Sequence, residues 1–338
     1  MQRVPAGRMP APGGGAERML RAYRSAGDAL LPVEPAGARL GEALWIDLCQ
    51  PTAAEVAAVE ALGIAVPERE AMEELQLSSR LYRLGEVSYM TVVLPGRAPD
   101  GRRVSRPVCL ILSSERLVTV RFHEPDAFRL YPERAVQSAA GCGTPVRVWL
   151  GLVEEIVDQI ADTMEEIGRA LNATSGEVFD GSDRERIGSL RRALETTGRF
   201  GVRISSARHS LLMLERAVNY IEQFPGDSGE ANLVGRLLEG QLRDIAALVV
   251  HADYLAGRAS VITDATLGMI TLDQNQSVSM LSALASLLAP AMLISSIYGM
   301  NFVWMPELDN NWGFAMAIAG MALSGFLTYV FFRKRGWM

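Results

Sequence analysis

Between Asp273 and Glu307 the sequence carries no charged residue, and between Trp312 and Phe332 it again carries none. Histidine and cysteine are scarce, with three of each in 338 residues. Cys49, Cys109 and Cys142 are widely spaced and odd in number, without a C-x-x-C pair. His123, His209 and His251 lie far apart, so the spacing of a zinc cluster is missing. The cysteines therefore read as reduced, buried thiols. Positive charge is not in excess: Lys and Arg number 33 against 39 Asp and Glu, for a net charge of −6. That excludes nucleic acid as a partner, because neutralising phosphates needs a basic face. The chain has no nucleotide-binding glycine loop, no G-x-S-x-G elbow and no H-E-x-x-H, which argues against an enzyme. Met1 to Gly15 is rich in Pro and Gly and has no continuous apolar stretch, so it reads as a disordered tail and not a secretory signal.

What is abundant is apolar surface: 49% of residues are hydrophobic and the mean hydropathy is +0.13, with the excess concentrated toward the C-terminus. Before that, residues 1–40 read as a flexible segment and 41–145 as a compact α/β domain. "ALWIDL", "RLGEVSYMTVVLP", "RPVCLILSS" and "RLVTVRF" are β-branched, apolar and bounded by turn or charged residues, so each predicts a strand. Thr52 to Gly63 predicts a helix, with Thr52 as N-cap and Glu55 at the capping-box position. Pro67 to Leu75 predicts a second, shorter one.

After Val146 the period changes. Leu152, Ile156, Ile160, Met164 and Ile167 recur at helical spacing, while Glu154, Glu155, Asp158, Asp162, Glu165 and Glu166 fall opposite, as a solvated acidic face. With the basic segment that follows, residues 146–230 predict a hairpin of two long helices. No proline occurs between Pro225 and Pro290. A helix from Asn232 to Tyr298 would be about 100 Å long, far beyond a globular helix. Residues 231–277 are its stalk and 278–298 its membrane span, which meets the roughly 20 residues a bilayer requires. Residues 299–311 form the outer loop and 312–332 the second span. The basic tail 333–338, beginning Arg333-Lys334-Arg335, places the C-terminus, and with two spans the N-terminal region, in the cytoplasm. Two spans cannot enclose a polar path, so a channel needs several copies. Ser and Ala along the first span permit close helix approach. On spacing alone, a pore and a simple anchor both remain open.

The loop carries more. "YGMNF" (Tyr298 to Phe302) followed by "MPEL" (Met305 to Leu308) resembles the signature of the CorA magnesium transporters, as do "LGMITLDQNQ" before the first span and "FRKRGWM" at the end. The resemblance implies an α+β cytoplasmic funnel domain, a stalk helix and a two-helix C-terminal transmembrane hairpin. It also implies assembly as a homopentamer in the cell inner membrane. The transported ion would be Mg²⁺, with Co²⁺ and Ni²⁺ as further candidates, and Mg²⁺ would also act as regulator. Gly299, Met300 and Asn301 would form the selectivity filter. A ring of neutral amide oxygens suits an ion that dehydrates reluctantly, holding its water shell without trapping the ion. Glu307 and Asp309 would concentrate cations at the outer mouth.

Asn275, Val278, Leu281, Ala285, Ala289 and Met292 recur every three to four residues and match the family's pore-lining face, with Val278 and Leu281 as constriction. Periodicity alone would equally describe a lipid-facing stripe. Met292 stands where many relatives carry a threonine, so a polar ring is lost at mid-pore. Gating by intracellular Mg²⁺ would involve Asp264, with Asp253 and Asp273 as weaker candidates. The alternatives are a zinc transporter of the ZntB type, sharing this topology, and a cytosolic binding module held by a membrane anchor.

Overall fold

The computed structural model describes residues 19–34, 39–73, 80–180, 186–223, 231–300 and 312–335. It divides into two compact units. One takes in the described residues of Met1–Thr174 and Thr196–Ser260, the other those of Ser175–Glu195 and Val261–Met338.

The first unit is built on a seven-stranded sheet: β1 (Met19–Ala26), β2 (Ala29–Pro32), β3 (Trp45–Cys49), β4 (Leu81–Leu84), β5 (Val87–Arg97), β6 (Arg103–Leu112) and β7 (Leu117–Arg121). Their order is β2-β1-β3-β7-β6-β5-β4, with β3–β7 parallel and the other pairs antiparallel. Every residue of β3 and β7 is buried, as central strands covered on both faces require. On one face Ile46, Leu48, Val118 and Val120 share a core with Val59, Ile64 and Met72, from or beside α1 (Ala53–Glu60) and α2 (Arg69–Glu73). On the other face Trp45 meets Phe128 and Tyr131 of α3 (Asp126–Arg134). The capping box anticipated at α1 is formed: the Glu55 amide donates to Thr52 Oγ1 at 3.3 Å, and the Thr52 amide donates to the Glu55 carboxylate at 2.7 Å.

Three local expectations need correction. The stretch read as one strand, "RLGEVSYMTVVLP", is a hairpin, because Gly85 turns in the left-handed region (φ +60°) between β4 and β5. Part of the segment expected to be flexible, residues 1–40, pairs into the sheet as β1 and β2. Ala22, Leu30 and Val33 are buried there, which supplies the hydrophobic return that local composition did not advertise. Residues 1–18 lie outside the described residues. α3 was not anticipated, since Pro132 lies within it.

Long helices follow: α4 (Pro145–Asp180), α5 (Arg186–Glu222), α6 (Ala231–Tyr298) and α7 (Gly313–Lys334). In the first unit Leu152, Ile156, Ile160, Met164 and Ile167 of α4 are all buried. Polar ties cross the helices at Arg203–Glu166 (2.9 Å), Arg208–Asp253 (2.6 Å) and Arg258–Asn172. In the second unit the would-be Cβ of Gly320 on α7 lies 4.0 Å from Ile294 Cδ1 on α6. α6 and α7 are each long and apolar enough to cross a membrane, and only 6% of either apolar window is buried. A core helix of a soluble protein would be covered by protein. Here the described residues leave most of the apolar surface uncovered.

Candidate functional site

α6 ends where the sequence signature begins. The Gly299 amide donates to the Ser295 carbonyl at 3.0 Å and the Met300 amide to the Ile297 carbonyl at 3.2 Å. Gly299 is not left-handed. A Cβ there would stand 3.3 Å from the Ser295 carbonyl oxygen, so glycine keeps the turn close against the helix end. The last carbonyls of α6 are at the negative end of its dipole, a favourable place for a cation to approach. Met300 is about half exposed (48%). Asn301, Glu307 and Asp309 lie outside the described residues.

Asn275, Val278, Leu281, Ala285, Ala289 and Met292 are all exposed along one side of α6. The side that meets α7 is different: Ala283 is fully buried and Ile294 approaches Gly320. α7 answers with small residues, Gly313 and Ala317 being buried on it. The six residues thus keep a face that the described residues leave exposed. Pro290 lies inside α6 without interrupting it.

The three aspartates on α6 are not brought together. Asp264 is exposed and Asp273 half-buried, while Asp253 accepts from Arg208 at 2.6 Å. Within the second unit Asp264 and Asp273 are separated by roughly 14 Å along a helix rising about 1.5 Å per residue. Among the described residues no group of three or more His, Cys, Asp or Glu is placed to hold a metal. On either side of Asp264 the apolar residues Val261 and Leu272 are exposed on α6. On α4, burial first and then the carboxylates Glu154, Glu155, Asp162 and Asp244 push the Asp158 carboxyl above its usual range. Glu155, expected on the solvated face, is instead buried and paired with Arg134 at 3.1 Å.

The sequence reading missed a buried polar network beneath α3. Arg121 donates to both carboxylate oxygens of Asp47, at 3.0 and 2.8 Å, while Thr119 donates to Asp47 at 2.8 Å and Trp45 to Thr119 at 3.1 Å. Burial works against the Arg121 charge, but Asp47 overcomes it and raises its pKa. His123 Nε2 stands 2.9 Å from the Leu94 carbonyl. Burial pushes this imidazole down to about 4, so it is neutral at physiological pH. No local pattern marks these residues, because 74 positions separate Asp47 from Arg121.

A model of the family described as CorA-like Mg²⁺ transporter protein matches residues 41–334. A relative from Yersinia pseudotuberculosis, "Magnesium transport protein CorA", is 28% identical over 303 residues, covering 88% of this chain and 93% of its own. The solved structure of the complete CorA magnesium transporter from Methanocaldococcus jannaschii superposes with a TM-score of 0.70 at 17% identity, covering 95% of this chain and 99% of that one. The ZntB cytoplasmic domain from Vibrio parahaemolyticus superposes less well, at 0.52 and 11% identity, over 75% of this chain and 98% of that one.

Proposed function

Because this chain belongs to the CorA-like Mg²⁺ transporter family, we propose that it conducts Mg²⁺ passively across the cell inner membrane as a homopentamer. The observation that carries the reading is α6: one helix of 68 residues whose apolar end is uncovered and stops at Gly299-Met300. In this reading Gly299, Met300 and Asn301 of each copy ring the outer mouth, and the amide oxygens of Asn301 hydrogen-bond hydrated Mg²⁺. Glu307 and Asp309 draw cations toward that ring. The face from Asn275 to Met292 lines the pore, with Val278 and Leu281, both more than 60% exposed in the single chain, as the constriction. Several copies are needed because one hairpin encloses nothing. The exposed apolar residues Val261 and Leu272 offer a surface for that packing. Asp264, which is exposed, would hold regulatory Mg²⁺ with a neighbouring copy. Arg333 and Lys334 in the last turn of α7 favour cytoplasmic termini.

Ion flux into liposomes carrying the purified chain tests this. Mg²⁺ uptake driven by an inside-negative potential is expected, with Co²⁺ and Ni²⁺ competing. Asn301→Ala is expected to lose preference for Mg²⁺. A variant as selective as the parent would remove Asn301 from the filter. Zn²⁺ flux exceeding Mg²⁺ flux would favour the ZntB-type alternative, and no flux of either ion would leave a membrane-anchored module.

A further inference from the structure

A cavity of about 500 Å³ lies within the first unit, between the tip of the β5–β6 hairpin, the first turn of α3, and helices α4 and α5. The ion pathway does not use it. Its hairpin wall holds a conflict: Arg97 and Arg103 stand directly opposite each other in the β5–β6 register, and both line the cavity. Like charges placed opposite on one face of an antiparallel pair repel and destabilise it. The carboxylate in the hairpin loop does not relieve them, since Asp100 accepts from Arg102 at 2.6 Å. Glu166 across the cavity is held chiefly by Arg203, at 2.9 Å, and gives Arg103 only a weaker electrostatic attraction. The hairpin tip is nevertheless fixed. The Arg97 amide and carbonyl both pair with Glu124, at 2.8 and 2.9 Å. Gly96 permits that approach, for a Cβ there would stand 2.6 Å from the Glu124 carbonyl oxygen.

A rigid wall bearing two facing guanidiniums is a device for holding an anion with several acceptor oxygens. The opposite wall carries Asp126 and Asp162 beside the Glu166–Arg203 pair, and the 69% exposed Val202 supplies apolar surface. The cavity is thus polarised, and a bare anion satisfies only one side of it. Mg²⁺ is commonly held by one or two carboxylates together with the phosphates of a ligand. The geometry points to a binding site for the Mg²⁺ complex of a phosphorylated small molecule of nucleotide size. Its phosphates lie between Arg97 and Arg103, its metal faces Asp126 and Asp162, and its organic part rests on Val202.

Calorimetric titration of the full chain in detergent with ATP and Mg²⁺ tests the site without reference to transport. Saturable binding of one ATP per chain is expected. Arg97→Gln or Arg103→Gln should weaken it about tenfold or more, as loss of a charge-assisted contact does. Arg39→Gln, at an exposed pair with Glu42 outside the cavity lining, should leave it unchanged. Chelating Mg²⁺ should weaken it, and unchanged affinity would overturn the role given to the acidic wall. Without ATP, Arg97→Gln should raise the Tm by relieving the repulsion, whereas an arginine serving structure alone would lower it. Absence of saturable binding at millimolar ATP, or parent-like binding by both arginine variants, overturns the proposal.

Discussion

Asp47 and Arg121 are 1% and 2% exposed and joined by two hydrogen bonds. Such a pair contributes little over an apolar one of the same volume, because desolvation offsets attraction. Breaking it is another matter. Asp47→Ala leaves a buried guanidinium uncompensated beneath Phe128, whose ring lies 5.1 Å from it, and should destabilise the unit by roughly 3–5 kcal/mol. Replacing both residues together, as Asp47→Leu with Arg121→Met, should recover most of that loss. Urea unfolding of the full chain compares the two variants; equal destabilisation would contradict the account. The sequence showed an acid within an apolar strand and an arginine ending another. Their pairing required the parallel register of β3 on β7, which brings Asp47 opposite Thr119 and Cys49 opposite Arg121.

At the scale of elements, glycine in long helices has two opposite meanings. A methyl group on Gly151 of α4 would run into Tyr131 Oη and stand 2.9 Å from Ser138 Oγ, whereas one on Gly198 of α5 meets nothing within 4 Å. Gly151→Ala should therefore overpack the seat of α3 and lose about 1–3 kcal/mol. Gly198→Ala should gain up to about 1 kcal/mol from helix propensity. Scanning calorimetry should give Tm shifts of opposite sign; shifts of the same sign would mean that packing does not separate the two sites. Helix period and capping were legible beforehand, down to the reciprocal bonds of Thr52 and Glu55. The β4–β5 hairpin was not, because one glycine turning left-handed at position 85 leaves the apolar pattern on either side looking continuous.

At the scale of the whole molecule, the apolar end of α6 and the length of α7 leave surface that the described residues do not cover. Asp253 is engaged by Arg208 within its own chain, which sets it apart from Asp264 as a candidate regulatory ligand. If Mg²⁺ bridges copies through Asp264, Asp264→Ala should shift inhibition of flux by Mg²⁺ on the N-terminal side to roughly tenfold higher concentration or beyond, as loss of a metal-site contact commonly does. An Asp253→Ala variant should shift it far less. Flux from liposomes at graded internal Mg²⁺ reads both, and an unchanged inhibition curve for Asp264→Ala would remove the residue from gating.

By itself the sequence determined the class of molecule. Charge-free runs of spanning length, the basic residues after the second, and Gly299-Met300-Asn301 between them are local features, carried by residue type and order alone. Hydropathy and helical period act over a few turns, so they survive in a linear reading. Only the tertiary structure decided what depends on residues far apart in the chain. It set Arg97 against Arg103 on the wall of a polarised cavity, buried the Asp47–Arg121 pair, and gave Asp253 a partner on α5 while leaving Asp264 exposed. Those outcomes turn on strand register and helix facing. Both are settled by the competition for buried surface and hydrogen-bond partners across the whole fold, which no short window of sequence records.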